Sequence, residues 1–145
     1  MITLPDFVVA TYCLVGLGLM AQGLRYLIAG QFMHYHADVI KERWSQLGPP
    51  EQRLLLGLLK GFGAGMFCLG VAFGFVALVP LRASLALGAP TAAPYFLALV
   101  SIMYTAMLVH VTRFALLPGA APIAVTITMC VLCVAAAAAS AAAYL

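Results

Sequence analysis

Long stretches without a charged residue alternate with short polar clusters along this chain. The seven Lys and Arg and four Asp and Glu residues leave uncharged runs at 7–24, 61–81, 83–112 and 114–145, of 18, 21, 30 and 32 residues. A helix needs roughly 20 apolar residues to cross about 30 Å of hydrocarbon. Each run therefore accommodates one crossing, which predicts four transmembrane helices at about 5–29, 53–79, 94–113 and 121–144.

The proline positions agree with these four helices. All eight prolines fall at a predicted helix end or in a loop, and proline fits the first turn of a helix but interrupts its hydrogen bonds further in. We therefore expect an all-α fold, a single transmembrane bundle of four helices that occupies residues 1–145.

The composition excludes several classes of protein. The chain is 66% hydrophobic and 8% charged, whereas soluble domains carry about a quarter of their residues as Asp, Glu, Lys or Arg. This excludes a soluble globular domain, a disordered chain and a nucleic-acid-binding protein. The expected surroundings are a lipid bilayer.

The basic residues predict an orientation. Arg82 lies at one end of the predicted bundle, and six basic residues lie at the other: Arg25, Lys41, Arg43, Arg53, Lys60 and Arg113. Lys and Arg accumulate on the cytoplasmic side of membrane proteins. The loops after the first and third helices are therefore expected in the cytoplasm, with both termini outside, and the net charge of +3 needs no acidic partner.

The polar segment 31–48 has a helical pattern of its own. Its apolar positions are Met33, Ala37, Ile40, Trp44 and Leu47, spaced as on one face of a helix. Gly48 and two following prolines would end that helix. We expect an amphipathic cytoplasmic helix between the first two spans.

Glycines recur along the second predicted helix, at Gly57, Gly61, Gly65, Gly70 and Gly74, with Gly63 in addition. In lipid, small residues let two helices approach closely and gain van der Waals contact. We therefore expect the second helix to be the packing centre of the bundle. Two interpretations of its glycines remain open, packing within the bundle or a face reserved for a partner. The alanine-rich end of the fourth helix, at 135–143, is similarly smooth.

Three basic residues near the cytoplasmic helix ends, Arg25, Lys60 and Arg113, are candidates for binding anionic lipid headgroups. Snorkelling of their long side chains to the membrane surface is the simpler explanation. The intramembrane carboxylate typical of proton-coupled transport is missing, because all four acidic residues fall outside the predicted spans.

The three histidines, His34, His36 and His110, all fall toward the cytoplasmic side. A haem or metal site built from His36 and His110 is the most specific chemical hypothesis. On a regular helix His34 and His36 point about 200° apart, so one ion cannot bind both. His34 with Asp38, four residues on, is a better pair that His110 could complete.

Two resemblances concern the region before the second helix. The segment Gln31-Phe-Met-His-Tyr-His-Ala37, with Trp44, Pro49 and Pro50, resembles small four-span bacterial membrane proteins with a Met-x-Tyr-His-like segment, with His34 where that pattern has proline. This resemblance implies a bacterial inner membrane protein, in which the outside termini expected from the basic residues would be periplasmic. Tyr35-His36-Ala37 also resembles the end of the first helix in the four-span protoporphyrinogen oxidase family, which implies haem; the first helix here has no histidine.

Three functions follow as hypotheses. The first is a non-enzymatic accessory or structural subunit without a cofactor, which packs in a larger membrane complex or against copies of itself. The second is a haem- or metal-binding redox protein that uses His36 and His110. The third is a small lipid-binding protein or carrier.

Overall fold

In the computed structural model, the described residues are 3–33, 36–37, 41–88, 91–115 and 123–142. Within the helices, the side chains of 108–109, 111–115, 123–126 and 129–130 lie outside this description. The described part is all-α and contains four long helices: α1 (Leu4–Leu27), α2 (Pro49–Leu87), α3 (Ala92–Ala115) and α4 (Ile123–Ala142).

Two of these helices, α1 and α2, are long and apolar enough to cross a membrane. The apolar helical stretches described for the other two are shorter, Ala92–Met107 and Val131–Ala142. The prediction of an all-α fold is therefore confirmed for the described residues, and two of the helices could cross a membrane.

Helix α1 begins where the sequence provides a complete N-terminal cap. The Asp6 backbone N–H donates to the Thr3 hydroxyl over 3.3 Å, and the Thr3 backbone N–H donates to the Asp6 carboxylate over 3.3 Å. This reciprocal arrangement satisfies backbone donors that the first turn of a helix leaves unpaired. Asp6 also experiences the positive charge of Arg82, near the far end of α2.

Helix α2 is longer than predicted, because it continues through a proline. Regular α-helix over Pro49–Val76 passes into a π-helical turn, Ala77–Leu81, and resumes over Arg82–Leu87. Pro80 lies inside that turn, which corrects the prediction that every proline lies at a helix end or in a loop. The wider turn accommodates a residue that cannot donate a backbone hydrogen bond. The helix ends at Gly88, which adopts a left-handed conformation with φ of 62°.

Helices α1 and α2 pack antiparallel with their backbones in close contact. A Cβ added to Gly16 would lie 2.8 Å from the Gly70 carbonyl oxygen and 3.2 Å from the Gly74 nitrogen. Further along, a Cβ added to Gly63 would lie 2.7 Å from the Tyr26 Cβ. Glycine is needed at these positions because any side chain would collide with the neighbouring helix.

The core is centred on α1, which contacts both α2 and α4, while α3 packs mainly against α4. Its fully buried side chains include Tyr12 and Leu19 from α1, Phe73 from α2, Leu97 from α3 and Cys133 from α4. The sequence pointed to α2 as the packing centre. The structure gives that position to α1, since α2 touches the bundle with one side only.

The connector between α1 and α2 does not form the continuous amphipathic helix expected over 31–48. Residues 31–33, 41–43 and 47–48 are not helical, whereas His36 and Ala37 are, and a 3₁₀ turn covers Trp44–Gln46. Lys41 adopts a left-handed conformation with φ of 62°, which a right-handed helix cannot include. Side chains then take over backbone hydrogen bonds, as when the Gln46 amide oxygen accepts the Arg43 N–H over 2.7 Å. His34 and Asp38 lie outside the described residues.

Candidate functional site

Helix α2 carries two glycine faces on opposite sides. At about 100° per residue, Gly57 and Gly65 fall within about 40° of Gly61, whereas Gly63 and Gly70 point about 160–180° away. The second pair lies against α1. We refer to the side formed by Leu54, Gly57, Leu58, Gly61, Gly65 and Cys68 as the open face, because all six residues are exposed.

No neighbouring atom occupies the space above the open face among the described residues. A Cβ added to Gly57, Gly61 or Gly65 would meet no atom of the described residues within 4 Å. Of the predicted packing glycines, Gly70 and Gly74 thus lie at the α1 contact, although Gly74 itself has open space at its Cβ. The other three belong to the open face.

The two edges of the open face carry opposite charges near its first turns. Glu51 lies about 80° to one side of Gly61, and Arg53 lies about 80° to the other. Both side chains are exposed. The Glu51 carboxylate also accepts the Gly48 backbone N–H over 2.6 Å and so caps the start of α2. The open face therefore combines a smooth apolar centre with an acidic edge and a basic edge.

His36 lies in an aromatic cluster where the connector meets α1 and α2. Its ring centroid is 6.3 Å from those of Tyr26 and Phe32. Tyr26 in turn makes an edge contact with Phe62 of α2 at 5.7 Å, and Phe32 packs against Trp44 at 5.1 Å. This packing holds the connector against the end of α1, where Tyr26 also contacts α2.

The imidazole of His36 is held in its neutral form. Its Nδ1 accepts the Met33 backbone N–H over 3.1 Å, and this requires an unprotonated Nδ1. Burial lowers the pKa of His36 below its ordinary value of 6.5, because desolvation disfavours the charged imidazolium. The described contacts of His36 support a structural role for this ring in the connector.

The other predicted histidines are placed separately. His110 is exposed on α3, and His34 lies outside the described residues. Among the described residues, no group of three or more His, Cys, Asp and Glu side chains is arranged to hold a metal ion. The haem or metal hypothesis gains no geometric support from the part of the chain described here.

The three predicted headgroup-binding residues do not form a described cluster. Arg25 is exposed in the last turn of α1, and Lys60 is exposed on α2. The Arg113 side chain lies outside the described residues, although its backbone is helical. At about 100° per residue, Arg25 points about 160–180° away from the α1 glycines Gly16 and Gly23 that face α2.

Several buried hydroxyl groups lie in the bundle interior. The hydroxyl of Tyr12 lies beside Ser140 of α4, yet neither oxygen meets hydrogen-bond geometry. Ser101 of α3 is likewise buried, and its hydroxyl has no hydrogen-bond partner among the described residues. These oxygens are inaccessible to solvent.

Sequence reasoning did not single out the glycines of α1. Gly16 and Gly23 are seven residues apart, as are Gly63 and Gly70. The equal spacing of these two glycine pairs is the signal that identifies the contact between α1 and α2, because residues seven apart lie two turns apart on the same face of a helix. Comparisons of the chain with protein-family models, curated proteins and solved structures find no match.

Proposed function

We propose that this chain is a four-span integral membrane protein that acts as a non-enzymatic subunit and associates with protein through the open face of α2. The observation that carries the proposal is the pair of glycine faces on one helix. One face is already filled by α1, and the other has the same small-residue character with no described residue against its glycines.

Membrane insertion is supported by the surface of the described bundle. Large apolar side chains are exposed on every helix, for example Leu14, Phe75, Ile102 and Val131. Water-soluble monomers rarely expose such extensive apolar surface, whereas lipid tails solvate it. α3 and α4 complete the four spans, because their sequences are uncharged over 83–112 and 114–145.

The position of the bundle in the bilayer follows from the charges that flank α2. Lys60 and Arg82 bracket the uncharged stretch 61–81, which is long enough for about 30 Å of hydrocarbon. The first turns of α2 and the His36 connector then project on the cytoplasmic side of a bacterial inner membrane. Both termini lie on the periplasmic side, in accord with the distribution of basic residues.

Association through the open face is favoured by the physics of helices in lipid. Lipid tails are as apolar as leucine, so helices associate through close van der Waals contact rather than through a hydrophobic driving force. A face of three glycines offers lipid little surface but lets a second helix approach closely. Leu54 and Leu58 extend this face beyond Lys60, where 64% and 63% of their surfaces are exposed. A partner helix would shield them from water.

The test is the mass of the protein after gentle detergent extraction. We expect native mass spectrometry to give an assembly heavier than the 15.2 kDa chain, with either copies of itself or another membrane protein. A lone 15.2 kDa chain in every mild detergent would contradict the proposed function.

A further inference from the structure

We infer that the occupant of the open face is a second copy of this chain, in a parallel dimer whose two-fold axis runs along the membrane normal. This inference rests on the proposed function and names its partner. It draws on the charged edges of the face, which the proposed function does not use.

Copies of a membrane protein share one orientation in the bilayer. A symmetric pair of α2 helices from two copies must therefore be parallel. In a parallel two-fold pair, the right edge of one helix lies beside the left edge of the other. The acidic edge of each copy then meets the basic edge of its neighbour. Glu51 and Arg53 are two residues apart along the helix, about 3 Å in height, so they face each other twice in the dimer.

Charge complementarity makes the face fit itself. A symmetric contact needs a self-complementary patch, and here the apolar centre is flanked at nearly equal angles by opposite charges. Lys60 adds a second basic group on the Arg53 edge, about 100° from Gly61. Both Glu51 and Arg53 lie in the first turns of α2, before the uncharged stretch 61–81 begins. Their charged side chains therefore remain partly hydrated and do not enter the hydrocarbon of the membrane.

Cys68 provides a native probe of this arrangement. It is exposed and lies about 20° from Gly61, at the centre of the open face. In the parallel dimer the two Cys68 side chains lie near the two-fold axis. In membranes, mild oxidation or a short bis-maleimide should therefore link the protein into a species of twice the chain mass.

Matched variants separate a specific contact from collision. Cys68→Ala should abolish the cross-link. Cys68→Ala combined with Leu14→Cys, which moves an exposed cysteine to α1, should not restore it. If the α1 cysteine links as well as Cys68 does, the cross-link reports random encounters and the inference is overturned.

The charged edges are tested by exchange. Glu51→Arg or Arg53→Glu alone should lower the cross-linked fraction about fivefold or more. Each change removes an exposed ion pair between the copies and places two like charges opposite each other. Glu51→Arg with Arg53→Glu should restore it, because the exchanged pair forms again between copies. The cap that Glu51 provides at the start of α2 cannot explain a recovery of the cross-link, because the single Glu51→Arg variant and the double variant both lack that cap. Failure of the double variant to recover overturns the inference.

The outcomes also distinguish this inference from the proposed function. An assembly that contains a different protein, with no Cys68 cross-link between copies, overturns the second-copy inference and leaves the proposed function standing. A lone chain by native mass together with no cross-link overturns both.

Discussion

Gly23 and Gly63 meet backbone to backbone where α1 and α2 pack. A Cβ added to Gly63 would lie 2.8 Å from the Gly23 carbonyl oxygen, and a Cβ added to Gly23 would lie 2.6 Å from the Gly63 carbonyl oxygen. Backbone atoms in two packed helices cannot rotate away as a side chain can. The pair therefore fixes how closely the two helices approach.

Gly63→Ala should destabilise the protein by about 1–3 kcal/mol, the usual cost of overpacking a close contact. Gly61→Ala is the matched control, because its Cβ enters open space and alanine favours the helix. Thermal unfolding in detergent measures both. A Gly63→Ala variant as stable as Gly61→Ala would show that the two helices do not make this contact.

The glycine pattern illustrates what the sequence could and could not predict. The four-residue steps at Gly57, Gly61 and Gly65 are plain in the sequence, but which face of α2 packs inward depends on its neighbour. That choice is made by Gly16 and Gly23 on α1, which match only Gly63 and Gly70 in spacing. A helical period identifies faces, and only the partner helix identifies the buried one.

Acidification should loosen the connector through His36. Protonation turns Nδ1 into a donor, so it can no longer accept the Met33 N–H. Since the pKa of His36 is lowered in the folded protein, its contribution to stability is complete above pH 6.5 and is lost as the pH falls through that lower value. Trp44 is the single tryptophan and packs on Phe32. When acidification loosens the connector, Trp44 becomes more exposed to water, so its fluorescence should shift to the red.

The control for this pH effect is His36→Asn, whose amide oxygen can accept the Met33 N–H without titrating. We expect its Trp44 fluorescence to stay constant over the same pH range. A transition that persists unchanged in His36→Asn would assign the effect to another group.

Gln52→Ala should free the connector at its other end. The Gln52 amide donates to the carbonyl oxygens of Trp44 and Leu47, over 2.9 and 3.1 Å. Loss of these two bonds costs about 1–3 kcal/mol of local stability. Trypsin should then cleave faster at the exposed Lys41 and Arg43, whereas Gln31→Ala, at an exposed site, should leave the rate unchanged. Equal rates in both variants would argue against this anchoring.

The connector was the poorest part of the sequence-based prediction, for a physical reason. Met33, Ala37, Trp44 and Leu47 do have helical spacing, but apolar side chains also serve the packing of a loop, as where Trp44 packs on Phe32. The Gln52 amide then donates to the backbone, and the His36 Nδ1 accepts a backbone N–H. These bonds stabilise a folded loop. Such side chain to backbone pairing competes with a helix and leaves little periodic signal.

The proposed orientation is tested by labelling from one side of the membrane. Ser45→Cys in the connector and Leu87→Cys at the other end of α2 are both exposed. In intact cells, a membrane-impermeant thiol reagent should label Leu87→Cys and reach Ser45→Cys only after permeabilisation. The opposite pattern would invert the topology.

The association of α2 through its open face is tested most directly by light scattering of Gly61→Leu in mild detergent. A Cβ at this position meets no described atom within 4 Å, so the fold and thermal stability should remain, while the bulky leucine blocks close approach of a partner helix. We predict an assembly for the unaltered protein and a single 15.2 kDa chain for the variant. An assembly of unchanged mass in Gly61→Leu would contradict the account.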